Sequence, residues 1–196
     1  MARDRAARPE AKPLRLFFAF DVSDAAKDAV ERVVAEHRSR VPARWTGRSG
    51  WHVTVKFLGR TWPRLVPEVE AAAAAAASAS RRFGTSLDAL GVFPSAKRAR
   101  VVWVGLKDPD RRFGSVAADL DRALEDYFVP ECRPLTPHLT VARLNPPRDL
   151  GEFDSDLVGT PVDAEPFDVD RLVLYRSHLS PAGARYEAIG SWPLGA

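Results

Sequence analysis

The sequence predicts an α+β fold with two mostly antiparallel sheets, built from two related halves. Three observations carry this. First, Trp51-His52-Val53-Thr54-Val55-Lys56-Phe57-Leu58-Gly59 and Pro137-His138-Leu139-Thr140-Val141-Ala142-Arg143 each set a His-x-Thr pair inside an apolar run of period two. Second, His52 and His138 are 86 residues apart, and the same offset carries the apolar run Leu16–Phe20 onto Val102–Leu106. Third, strand, helix and His-x-Thr strand follow one another in both halves. The Gly-rich turns of dinucleotide-binding or P-loop proteins do not occur between them.

The elements follow in order. Residues 1–13 lack apolar periodicity and read as a disordered basic tail, which leaves 14–196 as a single domain. A strand is expected over 14–21. Ser23 caps a helix that runs to about Arg38, with Ala26, Val30, Val33 and His37 on one stripe. His37, in the last turn, reads as partly exposed and structural. A second helix begins at Pro67-Glu68 and runs to Ser80 through seven consecutive alanines, with Gly84 as its stop. Thr85–Phe93 is a strand. The loop 94–100 holds Lys97, Arg98 and Arg100, and a strand over 101–106 follows it. Phe113, Val116, Leu120, Leu124 and Tyr127 recur at helical spacing and predict a helix over 110–128. The second His-x-Thr strand covers 137–144 and is stopped by Asn145-Pro146-Pro147. Residues 148–166 read as a long loop. Strands over 171–177 and 186–192 are joined by a turn at 180–183.

Composition narrows the function. Hydrophobic residues make up 45% of the 196, and the net charge is +3 with a pI near 9.3. The cations are mostly arginine, which a genomic base-composition bias explains more simply than anion affinity does. Cys132 is the only cysteine, which excludes a disulfide framework and a cysteine-based zinc site. The chain has neither an 18-residue apolar run nor a signal-peptide core, so a cytoplasmic protein with no membrane contact is expected.

The chemistry lies in the two motifs. Strand alternation puts His52, Thr54 and Lys56 on one face, with Val53, Val55 and Phe57 on the other against a core. A histidine carries protons near neutral pH and a threonine donates a hydrogen bond. Two imidazoles across a cleft can serve as the general acid and general base of an in-line attack at phosphorus, with Thr54 and Thr140 donating to the non-bridging oxygens. Zinc sites need three or four ligands and these motifs offer two, so no metal is expected. Phe18, Phe20, Trp45 and Tyr175 are candidates for stacking on a base, although core packing is the commoner role.

These residues resemble the bacterial and archaeal RNA 2′,3′-cyclic phosphodiesterases, also called 2′-5′ RNA ligases, of the two-histidine phosphoesterase superfamily. The likeness runs through Arg15-Leu16-Phe17-Phe18-Ala19-Phe20, the segment 52–59, Val92-Phe93-Pro94-Ser95, Arg100–Gly105, the segment 137–143 and Leu174-Tyr175-Arg176-Ser177. Valine after His52 and after Thr140, where leucine is usual, is the only departure in the motifs.

The resemblance implies a bilobal fold with helices packed outside, and a central cleft to which each lobe gives one His-x-Thr strand about a pseudo-twofold axis. It implies hydrolysis of an RNA terminal 2′,3′-cyclic phosphate to a 2′-phosphate without cofactor or metal, and a weaker, reversible 2′-5′ joining of RNA ends. It assigns His52 as general acid and His138 as general base, a choice the residues themselves leave open. Arg143 would bind the phosphate, although strict alternation puts it on the wrong face unless the strand bulges near Ala142. Lys56 and Tyr175 complete the expected substrate contacts. The expected partners are RNA ends or nucleotides bearing a cyclic phosphate, met by a monomer. Two alternatives are a phosphodiesterase acting on a cyclic nucleotide or an ADP-ribose cyclic phosphate, and a non-catalytic RNA-binding module.

Overall fold

The structure, a computed structural model, describes residues 12–180 and 183–195. The expected tail lies, for residues 1–11, outside the described residues, as do Pro181 and Ala182 of the expected turn. The first half contains β1 (Leu14–Asp21), α1 (Asp24–Arg38), β2 (Arg44–Trp45) and β3 (His52–Thr61). Then come α2 (Val66–Ala79), β4 (Phe83–Thr85) and β5 (Leu87–Phe93). The second half contains β6 (Ala99–Leu106), α3 (Arg112–Ala123) and β7 (His138–Arg148), followed by β8 (Phe167–Val169), β9 (Arg171–Ser180) and β10 (Gly183–Pro193).

These strands form the two antiparallel sheets expected, unequal in size. The larger has the order β10-β9-β1-β3-β7-β6-β5 with β2 laid against β7, and β4 pairs with β8 in the smaller. The two His-x-Thr strands are therefore neighbours at the centre of the large sheet, with Val53 opposite Leu139. Val53 and Leu139 are themselves related by the 86-residue offset. Equivalent residues meet only on a twofold axis, so the axis relating the halves passes between these two.

One face of the large sheet is apolar. Leu16, Phe18, Phe20, Val53, Val55, Val102, Val104, Leu139 and Val141 are buried there, each contributing roughly 1.5–3 kcal/mol for the larger side chains. Ser23 Oγ accepts the Ala26 N–H at 3.1 Å and starts α1. On α2, Ala72, Ala73, Ala76 and Ala77 are buried, and their small size lets the helix pack closely. The halves also exchange helical contacts. Phe113 of α3 packs edge-on against Phe20 of β1 at 5.6 Å, and the end of α1 is tied to the loop beyond β7, where His37 Nδ1 bonds Asp154 Oδ2 at 2.7 Å.

Several expectations change. His37 is buried rather than partly exposed, because Asp154 and then Arg40 pull it under that loop. The third helix ends at Ala123, and Tyr127 is largely exposed. Strand 85–93 is split into β4 and β5, which join different sheets. Asn145-Pro146-Pro147 does not stop β7. Proline removes only a backbone donor, and the strand pairs again at Arg148 opposite Ala99.

Candidate active site

His52 and Thr54 lie half-buried on the sheet face away from the core, between the buried Val53 and Val55; His138 and Thr140 repeat this between Leu139 and Val141. With Val53 opposite Leu139, antiparallel pairing sets His52 beside Thr140 and Thr54 beside His138. Four polar side chains thus converge from two strands onto one patch.

Beyond the threonines both strands break their alternation. In β3, Thr54 faces Ala19 and Lys56 faces Phe18, so Val55 is the extra residue of a β-bulge. In β7, Thr140 faces Trp103 and Ala142 faces Val102, so Val141 is extra. A bulge inverts the phase of everything after it. Arg143 is thereby carried to the histidine face, where its charge acts on His138. Lys56 is carried the other way. It is 2% exposed and paired with Asp121 of α3, so the expectation that Lys56 shares the His52 face is corrected. Phe57, expected in the core, is instead 64% exposed on the histidine face.

The second bulge is held from the side. Thr46, just beyond β2, donates its N–H to the Val141 carbonyl at 2.8 Å, and its hydroxyl lies 2.9 Å from the Thr140 carbonyl and 3.0 Å from that of Val141. The Trp51 indole N–H donates to the same hydroxyl at 3.1 Å. One threonine therefore connects the residue before His52 to the backbone of Thr140.

The two imidazoles sit in different surroundings. His52 lies against Phe17 at 4.9 Å, parallel to Tyr175 at 5.5 Å, and under the edge of Tyr186 at 4.9 Å. Burial among these rings lowers its pKa to about 4, against an opposing pull from Asp21. Tyr175 donates its hydroxyl to Asp21 Oδ1 at 2.6 Å, and burial with that bond pushes the phenol up. Tyr175 is thus brought to the site, packed beside the histidine. His138 is also lowered, first by burial and further by Arg143, while a bond to the Thr136 carbonyl raises it. Its Nδ1 donates that bond at 2.8 Å, which leaves Nε2 as a free acceptor.

Reading the motifs alone missed Phe17, Trp103, Tyr186, Thr46 and Asp21. A signal existed for two of them, since the 86-residue offset maps Phe17 onto Trp103. Each is the aromatic neighbour of a histidine, with Trp103 at 6.0 Å from His138. The indole of Trp103 lies over Gly91, where any β-carbon would collide with it. Phe18 and Phe20 are fully buried, so the structure removes them as base-stacking candidates, and Trp45 packs against the core with its N–H on the Val41 carbonyl. Among the described residues no group of three or more His, Cys, Asp or Glu gathers to hold a metal ion.

Residues 22–181 match the family model of the 2′-5′ RNA ligase superfamily. A protein named RNA 2′,3′-cyclic phosphodiesterase from Geobacillus stearothermophilus is 33% identical over 184 residues, which is 91% of this chain and 56% of that protein. The chain thus spans little more than half of that relative. A protein of the same name from Methanothermobacter thermautotrophicus is 30% identical over 181 residues, 88% of this chain and 95% of that one. The crystal structure of E. coli LigT complexed with NADP+ is 25% identical, with a TM-score of 0.76 over 95% of this chain and 100% of that chain.

Proposed function

We infer the activity from the family: the chain belongs to the 2′-5′ RNA ligase superfamily. We propose that it hydrolyses the 2′,3′-cyclic phosphate at an RNA end to a 2′-phosphate, using His52 and His138 and no metal. The observation that supports this most is the pairing of Val53 with Leu139, which brings two His-x-Thr motifs together about a twofold axis.

In the proposed reaction a water attacks phosphorus and gives its proton to His138 Nε2, the nitrogen left free by the bond to Thr136. The bond from phosphorus to the 3′-oxygen breaks, and that oxygen takes a proton from His52. Thr54 and Thr140 donate to the non-bridging oxygens, where charge develops, and Arg143 adds a cation to the same group. His52 is neutral near pH 7 when the site is empty, since burial holds it at about 4. An arriving phosphate anion raises it, so the imidazole takes up from solvent the proton that it then gives to the leaving oxygen. Tyr175 and Asp21 hold the imidazole in place. With the 5′-hydroxyl of a second RNA in place of water, the same step joins two ends through a 2′-5′ linkage.

Residues 14–196 act as one bilobal domain in this reading, supported by the helical contacts the halves exchange. Among the described residues no helix is long and apolar enough to cross a membrane. We place the reaction in the cytoplasm, on RNA ends, in a monomer. The test is a product assay on an RNA ending in 2′,3′-cyclic phosphate, with excess chelator, resolving 2′- from 3′-phosphate. Formation of the 2′-phosphate is expected. Loss of turnover with chelator, or a 3′-phosphate product, overturns the reading.

A further inference from the structure

Beyond the threonines, the histidine face of β1 and β3 continues as two further rows. Phe17 faces Phe57 and Arg15 faces Arg60, because a second bulge in β3, with Leu58 as its extra residue, returns Arg60 to the face of Phe57. The rows succeed His52 and Thr54 in line, and two residues of strand, about 7 Å, separate one row of β1 from the next.

Folding does not explain the exposure of either row. Phe57 is 64% exposed, with its ring 5.9 Å from that of the buried Phe17 beneath it. Arg15 and Arg60 are both exposed, and among the described residues neither meets a carboxylate. Like charges directly opposite each other on neighbouring strands destabilise a sheet. The 86-residue offset sharpens the contrast, because the equivalent of Phe57 in the second half is Arg143. One half thus presents a cation next to its threonine, and the other an aromatic shelf with two cations beyond it.

We propose that this strip binds the single-stranded RNA leading to the reacting end, with the base of the preceding nucleotide on Phe57 and a backbone phosphate between Arg15 and Arg60. An exposed ring offers stacking to any unpaired base, and a pair of free guanidiniums matches a phosphate diester. The inference rests on the phosphodiesterase reading and names its substrate class. The enzyme acts on polynucleotide ends in preference to free cyclic mononucleotides.

The test compares kcat/KM for a 2′,3′-cyclic mononucleotide with that for a five-nucleotide RNA ending in the same cyclic phosphate. The wild type is expected to prefer the RNA by at least about tenfold. Phe57→Ala should remove most of that preference, and Arg15→Gln with Arg60→Gln should reduce it, with mononucleotide turnover unchanged in all variants. Anisotropy of a labelled five-nucleotide RNA gives an arm that does not depend on activity. The double arginine variant should bind more weakly and lower the slope of log affinity against log salt by about 0.7, the value for one phosphate on a single strand. Equal losses on both substrates, or no loss on either, overturn the strip. If the wild type turns over neither substrate, the phosphodiesterase reading fails, and the binding arm still decides the strip by whether RNA affinity falls in the variants. A concentration-dependent mass in the wild type that Phe57→Ala abolishes would make this face an interface between copies and overturn the proposal.

Discussion

Val55 and Val141 stand 86 residues apart, and each is the extra residue of a β-bulge three positions beyond a histidine. The two halves therefore repeat an irregularity as well as a motif. The bulges determine which side chains join the histidines: Arg143 and Phe57 are turned toward them and Lys56 is turned away.

Thr46 holds the second bulge, so its effect should run through Arg143. Thr46→Val removes the hydroxyl bonds to β7 and leaves the Trp51 indole without its acceptor. A stability loss of about 1–3 kcal/mol is expected by chemical denaturation. The catalytic loss should be contained within that of Arg143→Ala, so the double variant turns over no more slowly than Arg143→Ala alone. Additive losses would mean that Thr46 acts by another route.

His52→Ala and His138→Ala should each lower kcat at least about 100-fold while the protein stays folded by circular dichroism. The double variant should be little worse, because the two act as a unit. A substrate with a better leaving group should rescue His52→Ala and not His138→Ala; the reverse pattern would exchange their roles. Thr54→Val and Thr140→Val should each cost roughly 2–4 kcal/mol of transition-state stabilisation.

Lys56 should matter for stability and not for chemistry. Its ammonium is buried against Asp121. Lys56→Ala leaves that carboxylate partly buried with only the Glu131 N–H as its partner, which should cost about 1–3 kcal/mol in a denaturant melt. The folded fraction should keep its kcat and its KM for a cyclic mononucleotide. A selective rise in KM with unchanged stability would return Lys56 to the substrate.

The pH profile should be displaced to acid. The proposed reaction needs His52 protonated and His138 neutral. In the free protein His52 lies at about 4 and His138 below its ordinary value near 6.5. Both limbs of kcat/KM therefore fall below about pH 6.5, and above it the value should drop about tenfold per unit. The kcat profile should lie higher, because bound phosphate raises both imidazoles. A kcat/KM optimum above pH 7 would contradict the protonated His52.

Burial of neutral His52 should also make the fold acid-sensitive. The folded state holds it at about 4 against an ordinary 6.5. Below pH 6.5 the unfolded state binds the extra proton, so stability is full above that value. It falls between about pH 6.5 and 4, by about 3 kcal/mol in all. Denaturant midpoints at pH 7 and pH 5 should differ less in His52→Gln than in the wild type.

The halves, the two motifs and most strands and helices were legible because they rest on local signals. Period two marks strands, period 3.6 marks helices, and the 86-residue offset marks the repeat. The pair of histidines was legible for the same reason, and so was the sharing of a face by His52 with Thr54 and by His138 with Thr140.

What lay beyond one strand was not. Alternation alone put Lys56 beside His52 and Arg143 away from His138, and both placements are reversed. A bulge has no side-chain signature here, since Val55 and Val141 are ordinary strand residues. It is set by how β3 pairs with β1, and by β6 and Thr46 gripping β7. The same dependence on distant partners buried His37 under Asp154 and stacked Tyr175 on His52. The sequence by itself determined the two His-x-Thr pairs and the strands that carry them. Tertiary structure alone decided which neighbours share a face with those pairs, because one extra residue between two strands inverts a face that local periodicity cannot sense.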